Sequence, residues 1–237
     1  YRGGDTSLVR SGWVQRHIRG QGPLGRLYPD YEGGDIWSGK LGGVTGIKEG
    51  DTPSFLGLIC NGLNYPEKPG YASWGGSIRQ DSLNRNHYRD AVDATGAYQT
   101  DPTPYLAGVY RWRAAFQADF RARLDWCVSP YAGSNHPPAA DEKALPVKPV
   151  KAGEKITLKA GNWRDPDGDR LRFRWELLRE AEAFPGPITI EAASERTAYF
   201  TAPATEHPEE IHILLTVMDN GKPSLYRYRR FIFRISP

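Results

Sequence analysis

The chain has 237 residues, 39% of them hydrophobic and 25% charged, with a formal net charge of +3. That is the composition of a globular protein of one large or two small domains. The small positive charge is spread evenly and offers no basic tract to a nucleic acid, and no apolar run approaches the roughly 20 residues of a membrane helix.

The sequence opens on Tyr1 without a signal peptide and reads as a processed or truncated product. Residues 7–19 place Val14 and Ile18 four apart beside Trp13, the spacing of a short amphipathic helix. The apolar run over 55–59 suits either a buried strand or a helix start. Residues 66–76 hold too many Pro and Gly for a regular element. The clearest helix is predicted over 104–126, where Trp112, Phe116, Phe120 and Leu124 recur every fourth residue and Pro104 sits in the first turn. Cys60 and Cys127 fit either one disulfide or two buried thiols.

Residues 136–146, with Pro137, Pro138 and several charges, read as an exposed connector. Beyond it the period shortens. Strands are predicted over 155–160, 170–177, 187–192, 196–202, 211–219 and 225–236, separated by turn signals such as Asp165-Pro166-Asp167-Gly168-Asp169. This predicts an antiparallel, immunoglobulin-like or cadherin-like β-sandwich over 147–237. In the last strand Tyr and Phe alternate with Arg, which suggests one buried and one solvated face.

The segments GPLGRLYPDY (22–31), residues 48–76 and YRWRAAFQADFRARLDW (110–126) resemble a bacterial family described as cellulose-binding, with a nucleoside-hydrolase-like domain. Residues 165–186 and 211–233 are similar to that family's C-terminal domain. The resemblance implies that residues 1–135 are the C-terminal portion of a nucleoside-hydrolase-like α/β domain. It also implies a secreted or periplasmic protein that takes a carbohydrate or nucleoside ligand. Nucleoside hydrolases carry an Asp-rich D-x-D-x-x-x-D-D motif near the N-terminus that holds calcium. The motif is absent here, so most calcium ligands would come from a missing N-terminal half or a separate N-terminal chain. This chain alone is then expected to be inactive.

Counting 100° per residue from Trp112 puts Asp119 at about −20°, inside the apolar stripe. A carboxylate there needs a partner. By resemblance Asp119 is the late calcium ligand of an intact site; otherwise it forms a buried salt bridge to Arg113 or Arg123. The resemblance places Asp51 and Asn61 among residues that bind sugar hydroxyls, with Glu49 a weaker candidate. A helix or turn cap at Asp51 and a tight turn at Asn61-Gly62 are the alternatives. Trp74 is either an exposed sugar-stacking platform or a buried loop anchor. His87 is a candidate general acid or a surface residue. Asp165, Asp167 and Asp169 suit calcium through oxygen ligands or a metal-free Asx turn, and Asp219-Asn220-Gly221 suits a second such turn. Two functions follow: a calcium-dependent glycoside or nucleoside hydrolase when intact, or a non-catalytic polysaccharide-binding protein.

Overall fold

The computed structural model describes residues 5–29, 46–47, 52–91, 106–140, 147–178, 184 and 186–237. Near the start, α1 (Ser11–Val14) runs on into a π-helical turn (Gln15–Arg19), and Val14 and Ile18 are both buried. Two short helices follow, α2 (Gly22–Arg26), with Pro23 in its first turn, and α3 (Thr52–Leu56). The 55–59 run therefore ends a helix: Leu56 enters the core while Phe55 and Leu58 stay exposed. The loop over 66–76 forms only a Ser73–Gly76 bridge, and β1 (Ile78–Gln80) pairs antiparallel with β2 (Tyr88–Asp90).

The helix expected over 104–126 is described as α4 (Ala107–Tyr110) and α5 (Arg113–Trp126), separated at Arg111 and Trp112. The buried line of α5 runs through Ala115, Asp119 and Ala122, while Phe116, Phe120 and Leu124 are half-buried. Small residues on that line let the helix approach its neighbours closely. From the same helix Gln117 Nε2 donates to the Leu8 carbonyl (2.7 Å) and Arg113 to that of Asp5 (3.2 Å), pinning the start of the chain.

The strands that follow are β3 (Ala139–Ala140), β4 (Lys148–Lys151), β5 (Lys155–Lys159), β6 (Trp163–Arg164), β7 (Arg172–Leu178), β8 (Thr197–Thr201), β9 (Glu209–Met218) and β10 (Tyr226–Ser236). A four-stranded sheet has the order β4-β10-β9-β7, with β4 parallel to β10 and the other pairs antiparallel. The β5–β8 pair packs on one face of it. Ile156, Leu158, Ala198 and Phe200 meet Ile211, Ile213, Leu215, Val217, Phe231 and Phe233 there in one core. Residues 187–192, expected as a strand, contribute a bridge from Glu191 to Tyr199. The connector expected over 136–146 is described to residue 140, and its Ala139–Ala140 pair is already a strand against β6.

The second face of the four-stranded sheet is also covered. Leu178, Leu214 and Tyr228 on that face pack with Leu56, Leu63, Trp74, Trp112 and Ala115 from the first part of the chain. The sheet is thus a middle layer, which accounts for the continuous apolar run of β9. It corrects the expected solvated face of β10, since Arg229 and Arg230 are 6% and 2% exposed. Both survive burial by donating to main-chain carbonyls.

Cys60 and Cys127 are exposed free thiols, so neither the disulfide nor the buried-thiol reading holds. No helix of the described residues is long and apolar enough to cross a membrane.

Candidate functional site

A cleft of about 460 Å³ opens where the two parts of the chain meet. Its walls are Cys60–Gly62 and Tyr65, the connector from Pro137 to Ala140, Trp163, and the first half of β10 from Arg227 to Arg230. The 61–62 backbone lies directly against β10, with Tyr228 N donating to the Asn61 carbonyl (2.9 Å). Gly62 has φ +88°, and a Cβ there would overlap the Tyr228 carbonyl, so only glycine permits this approach.

Asn61 builds the turn that shapes this wall. Its Oδ1 accepts from Leu63 N (2.9 Å) and Asn64 N (3.0 Å). Asn64 continues the scaffold, donating to the Leu56 and Ile59 carbonyls and accepting from Trp74 N. On the opposite wall the Arg229 guanidinium lies 5.2 Å over the Trp163 ring and donates to the Ala160 carbonyl (2.9 Å). Asn61 Nδ2 and Trp163 Nε1 are buried N–H donors without a hydrogen-bond partner among the described residues. Each such donor costs about 1–3 kcal/mol unless something accepts from it. Among the described residues three arginines and no Asp or Glu line the cleft, and the guanidiniums of Arg229 and Arg230 already donate to main-chain carbonyls.

Of the residues singled out in the sequence, Asn61 lines this cleft, in the turn geometry that was its alternative reading. Trp74 is 0% exposed: its ring meets Tyr228 edge-on and Nε1 donates to the Tyr228 hydroxyl (3.2 Å). A stacking platform needs an open ring face, so Trp74 is the loop anchor. Burial also pushes the Tyr228 hydroxyl above its usual range and keeps it protonated. His87 is exposed in a turn. Asp51 and Glu49 lie outside the described residues.

Asp119 is buried as the helical count predicts, and its carboxylate is held by Arg123 Nε at 2.6 Å and Arg227 at 3.8 Å. Arg113, the other partner considered, instead donates to the Asp5 carbonyl. Asp165 Oδ1 accepts from Asp167 N and Asp169 N, while Asp167 accepts from His136 N (2.6 Å) and meets His136 Nδ1 (3.0 Å). The acidic turn therefore clasps the connector. Asp219 Oδ1 likewise closes its own turn on Gly221 N and Leu225 N. Among the described residues no three His, Cys, Asp or Glu side chains gather to hold a metal ion. Committed to ion pairs and turn hydrogen bonds, these carboxylates do not fit calcium as they stand.

Asp169 shows the cost of crowding. Desolvation, then repulsion from Asp165 and Asp167, raises its carboxyl above the usual range. A folded value above the unfolded one means that stability falls as pH rises through the carboxylate range. Asp169→Asn is expected to raise stability near neutral pH by about 0.3 kcal/mol after solvent screening, and to change nothing in acid. Thermal melts at the two pH values check this, and a loss near neutral pH would reveal an attractive partner for the carboxylate.

Two family models match the chain in order: the nucleoside hydrolase-like domain of the cellulose-binding protein Sde182 over residues 1–78, and the C-terminal domain of cellulose-binding protein Sde0182 over residues 155–235. In both regions the chain is similar to the Sde0182 cellulose-binding family. Its structure is similar to that of a nucleoside hydrolase-related protein from Saccharophagus degradans associated with carbohydrate metabolism, at 29% identity and a TM-score of 0.72. That likeness covers 95% of this chain and 54% of the other, so the chain spans about half the length of that protein. A protocadherin GammaB4 extracellular domain is far more distant, at 17% identity and a TM-score of 0.31 over 42% of this chain and 17% of that one. No curated protein matches the chain. The cleft sits between the two matched regions, and sequence pattern did not mark Tyr65, Trp163 or the β10 arginines as its lining. The one local signal was a Trp placed two residues before the acidic turn.

Proposed function

We propose that this chain is the glycan-binding part of a secreted or periplasmic polysaccharide-handling protein, and that the cleft between its two parts takes the sugar. The observation that carries this is the pair of buried donors beside the cleft, Asn61 Nδ2 and Trp163 Nε1. Sugar hydroxyl and ring oxygens accept hydrogen bonds, and Tyr65 and the two prolines supply apolar wall to the C–H faces of a pyranose. The C-terminal sheets act in this reading as an immunoglobulin-like module that forms one wall of the site.

Retention on insoluble cellulose and titration with soluble β-glucan test the reading. The wild-type chain is expected to bind. Asn61→Asp keeps the Oδ1 acceptor of the turn and replaces the donor; Trp163→Phe removes Nε1 and keeps most of the ring. Each variant is expected to weaken binding by up to about tenfold, the worth of one hydrogen bond. A wild-type chain that binds no glucan ends the reading.

The match over residues 1–78 favours a second one, in which the longer protein is a calcium-dependent glycoside or nucleoside hydrolase. Its calcium ligands would then come from sequence outside this chain or from a partner chain. Release of sugar from nucleosides or oligosaccharides by this chain with calcium, and its loss with chelator, is the assay. Activity in this chain alone would contradict the requirement for outside ligands.

A further inference from the structure

At the C-terminal end of α5, away from the buried rings that knit the core, three aromatic side chains form a stack. Trp126 is the last residue of the helix, and the 3₁₀ turn Tyr131–Gly133 brings the chain back so that His136 stacks with both Trp126 and Tyr131. The Tyr131 and His136 rings are 3.8 Å apart and 21° from parallel; Trp126 and His136 are 5.5 Å apart and 12° from parallel. Tyr131 is nonetheless 68% exposed. One ring face rests on the imidazole and the remainder meets solvent.

The stack is held from every side. Trp126 Nε1 donates to the Asn135 carbonyl (2.8 Å), and Asn135 Nδ2 donates to the Pro223 carbonyl (2.7 Å) and Asp219 (3.2 Å). His136 is fixed through both its main-chain N–H and Nδ1 by Asp167. The Tyr131 turn is closed by Ser134 N on the Tyr131 carbonyl (3.0 Å) and by Ser134 Oγ on that of Pro130 (3.1 Å). A single exposed aromatic needs no explanation. An exposed ring whose backing is pinned by two carboxylate-bearing turns is different, because its orientation is set before any ligand arrives and little side-chain freedom remains to be lost.

We propose that Tyr131, backed by His136 and Trp126, is a carbohydrate-stacking platform that takes the flat C–H face of a β-linked glucose unit. The occupant follows from the shape and charge of the surface. The exposed element is a planar, uncharged ring with an apolar face, matched by an equatorially substituted pyranose, whose axial hydrogens form an apolar face of similar size. The assignment rests on the glycan-binding reading above and adds a second, structurally independent contact to the cleft.

The test uses the full chain on insoluble cellulose and with soluble cello-oligosaccharides. Tyr131→Ala is expected to reduce retention about three- to tenfold, the range for one aromatic contact, with the thermal melt unchanged. Tyr131→Trp enlarges the ring on the same backing and is expected to match or exceed the wild type, which guards against a fold effect in the alanine variant. If the wild type binds glucan and both Tyr131 variants bind equally well, the platform is overturned and the cleft reading stands. If the wild type itself binds no glucan, both fall together.

Discussion

Arg230→Ala is expected to destabilise the protein by about 3–5 kcal/mol, the cost of opening a buried charge network. Arg230 is 2% exposed and donates to His212 Nδ1 (2.8 Å) and to the carbonyls of Leu63 (3.1 Å) and Ala72 (2.8 Å). Its guanidinium also lies 4.7 Å from the centre of the Tyr71 ring. A guanidinium only donates, so His212 Nδ1 accepts and the ring proton sits on Nε2, 3.0 Å from Glu210 Oε1. Tyr71 closes the circuit by donating to the same Glu210 oxygen (3.3 Å).

The network joins the 63–72 loop to β9 and β10. Without it, the Leu63 and Ala72 carbonyls and His212 Nδ1 each lose a buried charged donor. Arg230→Lys is expected to lose most of the same energy, because one ammonium cannot reproduce the fork that reaches three acceptors. Urea unfolding with an unchanged slope is the measurement, and a cost below about 1 kcal/mol would show that apolar packing alone fastens the two parts. The clasp also has a pH signature. Burial alone would raise Glu210, but the hydrogen bonds from His212, Arg234 and Tyr71 outweigh it and hold the carboxyl below its usual range. A depressed folded value stabilises above the ordinary glutamate range, and this contribution is lost as pH falls through the depressed value.

Local pattern was legible where one element decides its own environment. The fourfold spacing of Val14 and Ile18 gave a buried pair, and the angular count that put Asp119 inside the α5 stripe was correct to the residue. The same count overrated Phe116, Phe120 and Leu124, because the closest packing on α5 runs through Ala115 and Ala122, which a hydrophobic pattern scarcely registers. β4 was missed for a related reason: Lys148, Pro149 and Lys151 are ordinary for an edge strand and resemble a loop. The expected strand over 187–192 begins on Pro187, which has no N–H to give a ladder. What sequence could not supply was the third layer. Alternation in β10 argued for a wet face, and only the arrival of the 63–76 loop and α5 on that face turns Arg230 into a buried residue and creates the cleft beside it.

Asp119→Ala is expected to cost about 2–3 kcal/mol, less than a fully buried pair because the Arg123 side chain is half exposed. The larger share comes from Arg227. Desolvation already pulls its guanidinium below the usual range, and Asp119 is the charge that opposes this. Removing the carboxylate leaves a mostly buried cation with its main compensation gone. The measurement separates the two roles read for Asp119 in the sequence. If the ion pair is its role, calcium and chelator leave the wild-type melting temperature unchanged, since Asp119 Oδ2 is already taken by Arg123 at 2.6 Å. If Asp119 is a metal ligand, calcium raises the wild-type melting temperature, and Asp119→Asn abolishes that rise. A calcium ion would then have to displace both arginines, which requires that further carboxylates be brought to the site from outside the described residues.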